Sequence, residues 1–253
     1  MPTKLYKRVY VWELPVRIFH WLNALAITVL IVTGFIIADP PALMSQKEAY
    51  ETYMMGTVRF IHFAAAYVFA VVMLLRIYWA FVGNKYAHWK AFIPFSKKAL
   101  HNISHVVKHD IFLLPDKNKD YFSGYSVGHN YMATTIYAVM FVMGLVMLFT
   151  GFGLLSDNAT WWFPKMFGWV PEFLGGDFIT RQIHHLTMWA FILFIIVHVY
   201  LAVYHDVVEA RGEISSMISG FKFVRVERFK WFRKKKKVIE DLERIEETVG
   251  TEE

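Results

Sequence analysis

The chain has 253 residues, 56% of them hydrophobic and 18% aromatic, with a formal net charge of +6. So apolar a composition excludes an ordinary soluble domain, and the length suits one compact membrane domain rather than several. Cysteine is absent, which excludes disulfides and every thiolate-bound metal group, so a metal cofactor here must lean on histidine, methionine or carboxylate.

Four apolar runs are long enough to cross a hydrocarbon layer of about 30 Å, and they fall near 17–38, 58–82, 131–155 and 181–205. Lipid offers backbone amides no partner, and an open sheet would leave bare edges, so each run is expected to be helical. The predicted fold class is all-α: an integral membrane four-helix bundle over residues 1–210, followed by a basic and then acidic tail over 211–253.

The first run follows Lys4, Lys7 and Arg8, which imitates a signal peptide; it is long, lacks an evident cleavage site and contains His20, so it reads as a mature helix. The second opens on Arg59 and His62 and carries Arg76 inside it, which reads as a snorkelling side chain. In the connection after it, His101, His105 and His109 share i, i+4 spacing. No further ligand has matching spacing, and a solvated helix face is the reading adopted. The third run carries Gly144, Gly151 and Gly153, and beyond it Trp161, Trp162, Trp169 and Phe173 read as an interfacial aromatic belt. The fourth holds Arg181, His184, His185 and His198. The stretch from Lys222 to Lys237, basic and aromatic, is expected to lie on anionic lipid. Lys and Arg resist translocation and concentrate in the N-terminus, the 83–130 connection and the tail, so both termini are expected to be cytoplasmic. The same distribution suits a membrane face and argues against nucleic acid.

Histidine within a membrane span is expensive unless it has a partner or a job. His20, His62, His184 and His198 qualify, and His198 stands in WAFILFIIVHVYLAV with no strongly polar neighbour on its own helix. His184 and His198 are fourteen residues apart, so they return within about 40° of one face, roughly 21 Å apart along the axis. His185 competes with His184, but one extra residue turns it about 100° from the His198 face. The second and fourth helices run the same way, and Arg59-Phe60-Ile61-His62 and Arg181-Gln182-Ile183-His184 place a histidine at one depth on each. The first helix runs the opposite way, which brings His20 level with His198. Two imidazoles at matched height suit the two axial positions of a low-spin haem that only passes electrons. The reading is therefore an outer haem between His62 and His184 and an inner one between His20 and His198, with Arg59 and Arg181 placed for propionates. An internal echo accompanies this: Arg-x-x-His recurs at 59 and 181, and Thr-Gly-Phe at 33 and 150.

The segments VYVWELPVRIFHWLNALAITVLIVTGF at 9–35, RFIH at 59–62, GHN at 128–130, RQIHHLTMWAFILFIIVHVYLAVYHD at 181–206 and ISSMISGFK at 214–222 resemble the b-type cytochrome subunit of membrane-bound nickel–iron hydrogenases. The resemblance covers roughly 1–222, and the tail beyond 237 is unlike typical members. It implies two haem b groups, held by His20 with His198 and His62 with His184. It implies as partners a hydrogenase small subunit, which brings a transmembrane helix and iron–sulfur clusters, and a large subunit that carries the hydrogen chemistry. It also implies a place in the cytoplasmic (inner) membrane and quinone as electron acceptor. His129, Tyr131, His205 and Asp206 near the cytoplasmic boundary are the candidate proton donors for quinone. The alternatives are a formate dehydrogenase or thiosulfate reductase cytochrome subunit and, from another class, a haem-free anchor or proton relay.

Overall fold

The computed structural model describes residues 6–41, 53–91, 131–207 and 212–225. In chain order the elements are β1 (Tyr6–Tyr10), α1 (Leu14–Ala38), α2 (Met54–Val82), a 3-10 turn (Trp89–Ala91), α3 (Tyr131–Ser156), α4 (Trp162–Lys165), α5 (Trp169–Leu174), α6 (Asp177–Val207), α7 (Glu213–Ser219) and β2 (Phe221–Arg225). They divide into two compact units, one formed by the residues up to Trp12 with those from Ala202 onward, the other by Glu13–Leu201.

In the larger unit α1, α2, α3 and α6 are each long and apolar enough to cross a membrane. The 25 residues of α1 rise about 37 Å, more than the hydrocarbon thickness. The helices begin several residues ahead of the apolar runs, at Leu14, Met54 and Asp177 rather than near 17, 58 and 181. Pro15 sits in the first turn of α1, where its missing N–H costs nothing, and Asp177 opens α6 where the helix dipole favours an acid.

α1 and α2 pack side by side. Ala26, Phe69 and Met73 form their shared core, closed by Ile27, Leu30 and, from α3, Phe141, Leu145 and Leu148. Gly144 brings α3 close, since a Cβ there would lie 3.1 Å from the Met73 sulfur. Outward positions such as Leu25, Val71, Leu74, Val142, Leu193 and Ile196 are apolar and exposed, the reverse of a water-facing helix. With four such helices, the chain is a multi-pass membrane protein.

Two polar groups tie this unit together. The Glu13 carboxylate accepts the Trp79 indole N–H and the Asn84 backbone N–H, both at 2.9 Å, joining the start of α1 to the end of α2. Arg76 is buried; its Nη2 donates to the Ala87 carbonyl at 3.2 Å and its guanidinium lies 5.4 Å from the centre of the Tyr137 ring. The side chain is thus enclosed and held by the loop after α2 and by α3, where the expectation was a snorkelling arginine. At the end of α3, Phe152 packs on Phe163 and Phe167, while Trp161, Trp162, Trp169 and Phe173 are exposed.

The smaller unit departs from the all-α expectation. β1 and β2 pair antiparallel, from Tyr6 opposite Arg225 to Tyr10 opposite Phe221. The Gly220 carbonyl accepts the backbone N–H groups of Val11 and Trp12 at 2.9 and 3.1 Å, and Gly220 has φ +85°. A Cβ there would stand 2.7 Å from the Trp12 carbonyl oxygen, so only glycine fits. Lys222, at the head of the expected lipid-lying stretch, is instead buried, with Nζ 2.7 Å from the Glu213 carboxylate and over the Trp12 ring. A charge this enclosed binds its own carboxylate rather than a lipid surface. Residues 226–237, and His101, His105, His109 and His129, lie outside the described residues.

Candidate functional site

The long helices of the larger unit carry the four membrane histidines: His20 on α1, His62 on α2, and His184 and His198 on α6. His20 and His198 face each other with ring centroids 6.2 Å apart and planes inclined by 52°. His20 also meets Trp21 edge-on, and His198 stacks on Phe194 one turn earlier, at 5.3 Å and 21°. The His20 Nδ1 is buried with no hydrogen-bond partner.

His62 and His184 both stand by glycines of neighbouring helices, and the glycine beside His62, Gly34, also faces Met188, one turn past His184 on α6. The Thr33 hydroxyl lies 2.6 Å from the Val29 carbonyl oxygen and 2.8 Å from His62 Nδ1. The Thr150 hydroxyl repeats the arrangement, 2.6 Å from the Val146 carbonyl oxygen and 2.8 Å from His184 Nδ1. A threonine hydroxyl has one hydrogen, and a carbonyl can only accept it, so that hydrogen goes to the backbone. The imidazole Nδ1–H then donates to the threonine oxygen, and the lone pair of each ring sits on Nε2. Next to each threonine is a glycine against the same ring. A Cβ on Gly34 would lie 3.6 Å from His62 Cε1, and one on Gly151 would lie 3.1 Å from His184 Cε1.

His185 turns elsewhere: its Nε2 accepts the Trp189 indole N–H at 3.2 Å, and Phe35 lies against its edge. Arg59 and Arg181 are exposed one turn ahead of His62 and His184. Of the candidate proton donors, His129 lies outside the described residues. Tyr131 and His205 belong to α3 and α6 with side chains outside the description, and Asp206 has a buried carboxylate oxygen without a hydrogen-bond partner.

The donor set discriminates between kinds of metal group. Among the described residues no three His, Asp or Glu side chains come together, and a bare ion held by protein alone takes three or four ligands. Isolated pairs of imidazoles suit an iron that brings its own four equatorial nitrogens. His62 and His184 offer Nε2 lone pairs fixed by their hydroxyl partners, with glycine rather than a side chain against each ring. These residues fit haem. Sequence reasoning passed over Thr33 and Thr150 as members of the site; the signal for them was the repeated Thr-Gly-Phe triplet.

Residues 11–220 match the family model described as prokaryotic cytochrome b561. The chain is 39% identical over 223 residues to a protein of Cupriavidus necator, covering 87% of this chain and 88% of that one. It is 40% identical over 224 residues to one of Azotobacter vinelandii, covering 87% and 90%. Both are named as probable Ni/Fe-hydrogenase B-type cytochrome subunits. A protein of Escherichia coli named as the probable Ni/Fe-hydrogenase 1 B-type cytochrome subunit is 37% identical over 218 residues, covering 84% and 90%. Paired imidazoles on membrane helices and likeness over nearly the whole chain lead to one conclusion: this chain belongs to the prokaryotic cytochrome b561 family, together with the B-type cytochrome subunits so named.

Proposed function

We propose that the chain is the electron-transfer subunit of a membrane-bound nickel–iron hydrogenase, carrying electrons from hydrogen oxidised outside the cytoplasm to quinone by way of two b haems. The observation that carries this reading is the facing of the His20 and His198 rings, beside His62 and His184 in one repeated threonine and glycine setting, in a family whose members bear hydrogenase names. His62 and His184 hold one haem, and His20 and His198 the other. Bound haem b would supply one-electron transfer, and the two imidazoles of each pair would serve to hold it rather than to bind substrate.

The protein's part is to fix these ligands at two heights. Fourteen residues of α6 separate His184 from His198, about 21 Å along the axis, so the two sites divide the hydrocarbon layer between them. Arg59 and Arg181 take propionates at the His62 and His184 end. That end faces the hydrogenase, whose small subunit brings a transmembrane helix and iron–sulfur clusters and whose large subunit activates hydrogen. Both termini lie on the cytoplasmic side of the inner membrane, in keeping with the concentration of Lys and Arg around them. Quinone is reduced on that side. Asp206, with a buried and unpartnered carboxylate oxygen, is the leading proton donor there, alongside His129, Tyr131 and His205.

The test is to purify the chain from its native membranes in mild detergent. Two haem b per chain, with hydrogenase subunits in the same fraction, is the expected result. A reduced-minus-oxidised spectrum without an α-band, or the chain leaving the column with a different oxidoreductase, would overturn the reading.

A further inference from the structure

The twin threonine contacts do more than hold two rings in place. We infer that Thr33 and Thr150 are positioning residues that set the tautomer and donor strength of His62 and His184, and so hold the haem of that pair at a lower potential than the haem of His20 and His198. The inference rests on the ligand assignment proposed above.

Three observations carry it. Each hydroxyl is committed as donor to a carbonyl four residues back, Val29 or Val146, at 2.6 Å, so it faces the imidazole as an acceptor. Each imidazole Nδ1 stands 2.8 Å from that oxygen, which keeps the proton on Nδ1 and the lone pair on Nε2. The contact is made twice, by identical Thr-Gly-Phe triplets on α1 and α3. His20 is different: its Nδ1 is buried with no hydrogen-bond partner.

An imidazole that donates from Nδ1 to a well-placed acceptor is a more basic ligand through Nε2, and a more basic ligand favours the ferric state of the iron it holds. Both axial ligands of one site have such an acceptor, whereas the other site has a ligand without one. The two sites therefore differ in potential in the sense that moves an electron from the His62 and His184 end to the His20 and His198 end.

The experiment is a redox titration of the α-band in the assembled complex, in native membranes, for the Thr33→Val, Thr150→Val, Thr33→Ser and Thr150→Ser variants. His62→Ala and His20→Ala variants identify which component of the titration belongs to which pair. Valine keeps the shape and removes the hydroxyl acceptor; at His62 the Leu30 carbonyl remains as a second one, so Thr150→Val is the decisive variant. The expected result is two haems retained, the lower component raised by about a tenfold change in its reduction equilibrium, ~59 mV for one electron, and the upper component unmoved. Serine, which keeps the hydroxyl, should restore the native value. If valine expels the haem, serine still decides: a native potential supports the inference, and continued loss overturns it. Unmoved potentials, or both components moving together, would also overturn it. Should His62→Ala retain both haems, the ligand assignment itself has failed, a different outcome from either.

Discussion

Glu13, the residue just ahead of α1, accepts the indole N–H of Trp79 from the last turn of α2. The same carboxylate oxygen receives the Asn84 backbone N–H, so one acid joins the entry of the first span to the exit of the second. Replacing it by alanine strands two donors, at a cost of about 1–3 kcal/mol. Glu13→Ala should lower the midpoint of thermal unfolding in detergent, followed by far-ultraviolet circular dichroism, while the haem spectrum at room temperature stays native. An unchanged midpoint would show that water replaces the carboxylate without loss.

The two site glycines differ in how much room they leave. Gly151→Ala places a methyl group 3.1 Å from His184 Cε1, inside normal contact, whereas Gly34→Ala places one 3.6 Å from His62 Cε1. The first should drive haem content from two per chain toward one, and the second should leave it at two, as read by the pyridine haemochrome. Gly56, with nothing within 4 Å, serves as the control: Gly56→Ala should be neutral or stabilising by up to about 1 kcal/mol. Full haem content in Gly151→Ala would mean that the ring can shift at no cost.

The four histidines should fall into two phenotypes and no more. His20→Ala and His198→Ala are expected to lose the same spectral component, and His62→Ala and His184→Ala the other, while His185→Ala loses neither because its ring is engaged with Trp189. Low-temperature difference spectra of the five variants check this, and loss of a component in His185→Ala would reassign the ligand.

Lys222 is buried against Glu213, so removing the acid leaves a charge with poor solvation. Glu213→Ala should weaken protection of the β1 and β2 amides against hydrogen exchange without changing haem content. Exchange at the native rate would show that the ion pair adds nothing to the strand pairing.

What could be read from the chain followed from which physical rules are local. Four apolar runs announced four helices because lipid leaves the backbone no other choice. The match of His20 with His198, whose rings face each other, followed from helix rise and direction; that of His62 with His184 was read from the recurring Arg-x-x-His. Helix ends were harder: Leu14 to Val16 and Asp177 to Thr180 belong to the helices although they lie ahead of the runs near 17 and 181. The sheet was missed because Tyr6–Tyr10 and Phe221–Arg225 each look like a charged flank, and neither segment contains its partner. Thr33 and Thr150 escaped for a related reason. A serine or threonine in a membrane helix usually bonds only its own backbone, and the second contact, to a ring on another helix, leaves no periodic trace.

The pairing of β1 with β2 joins the segment that leads into the first span to the one that follows the fourth. A ribosome releases these two strands at opposite ends of synthesis, so β1 must wait, unpaired, until every span has been made. Its zipping is thus a late event in biogenesis, one that only a fully translated bundle can complete. A chain interrupted before Phe221 leaves an open strand edge, the kind of surface on which proteases and aggregation act first.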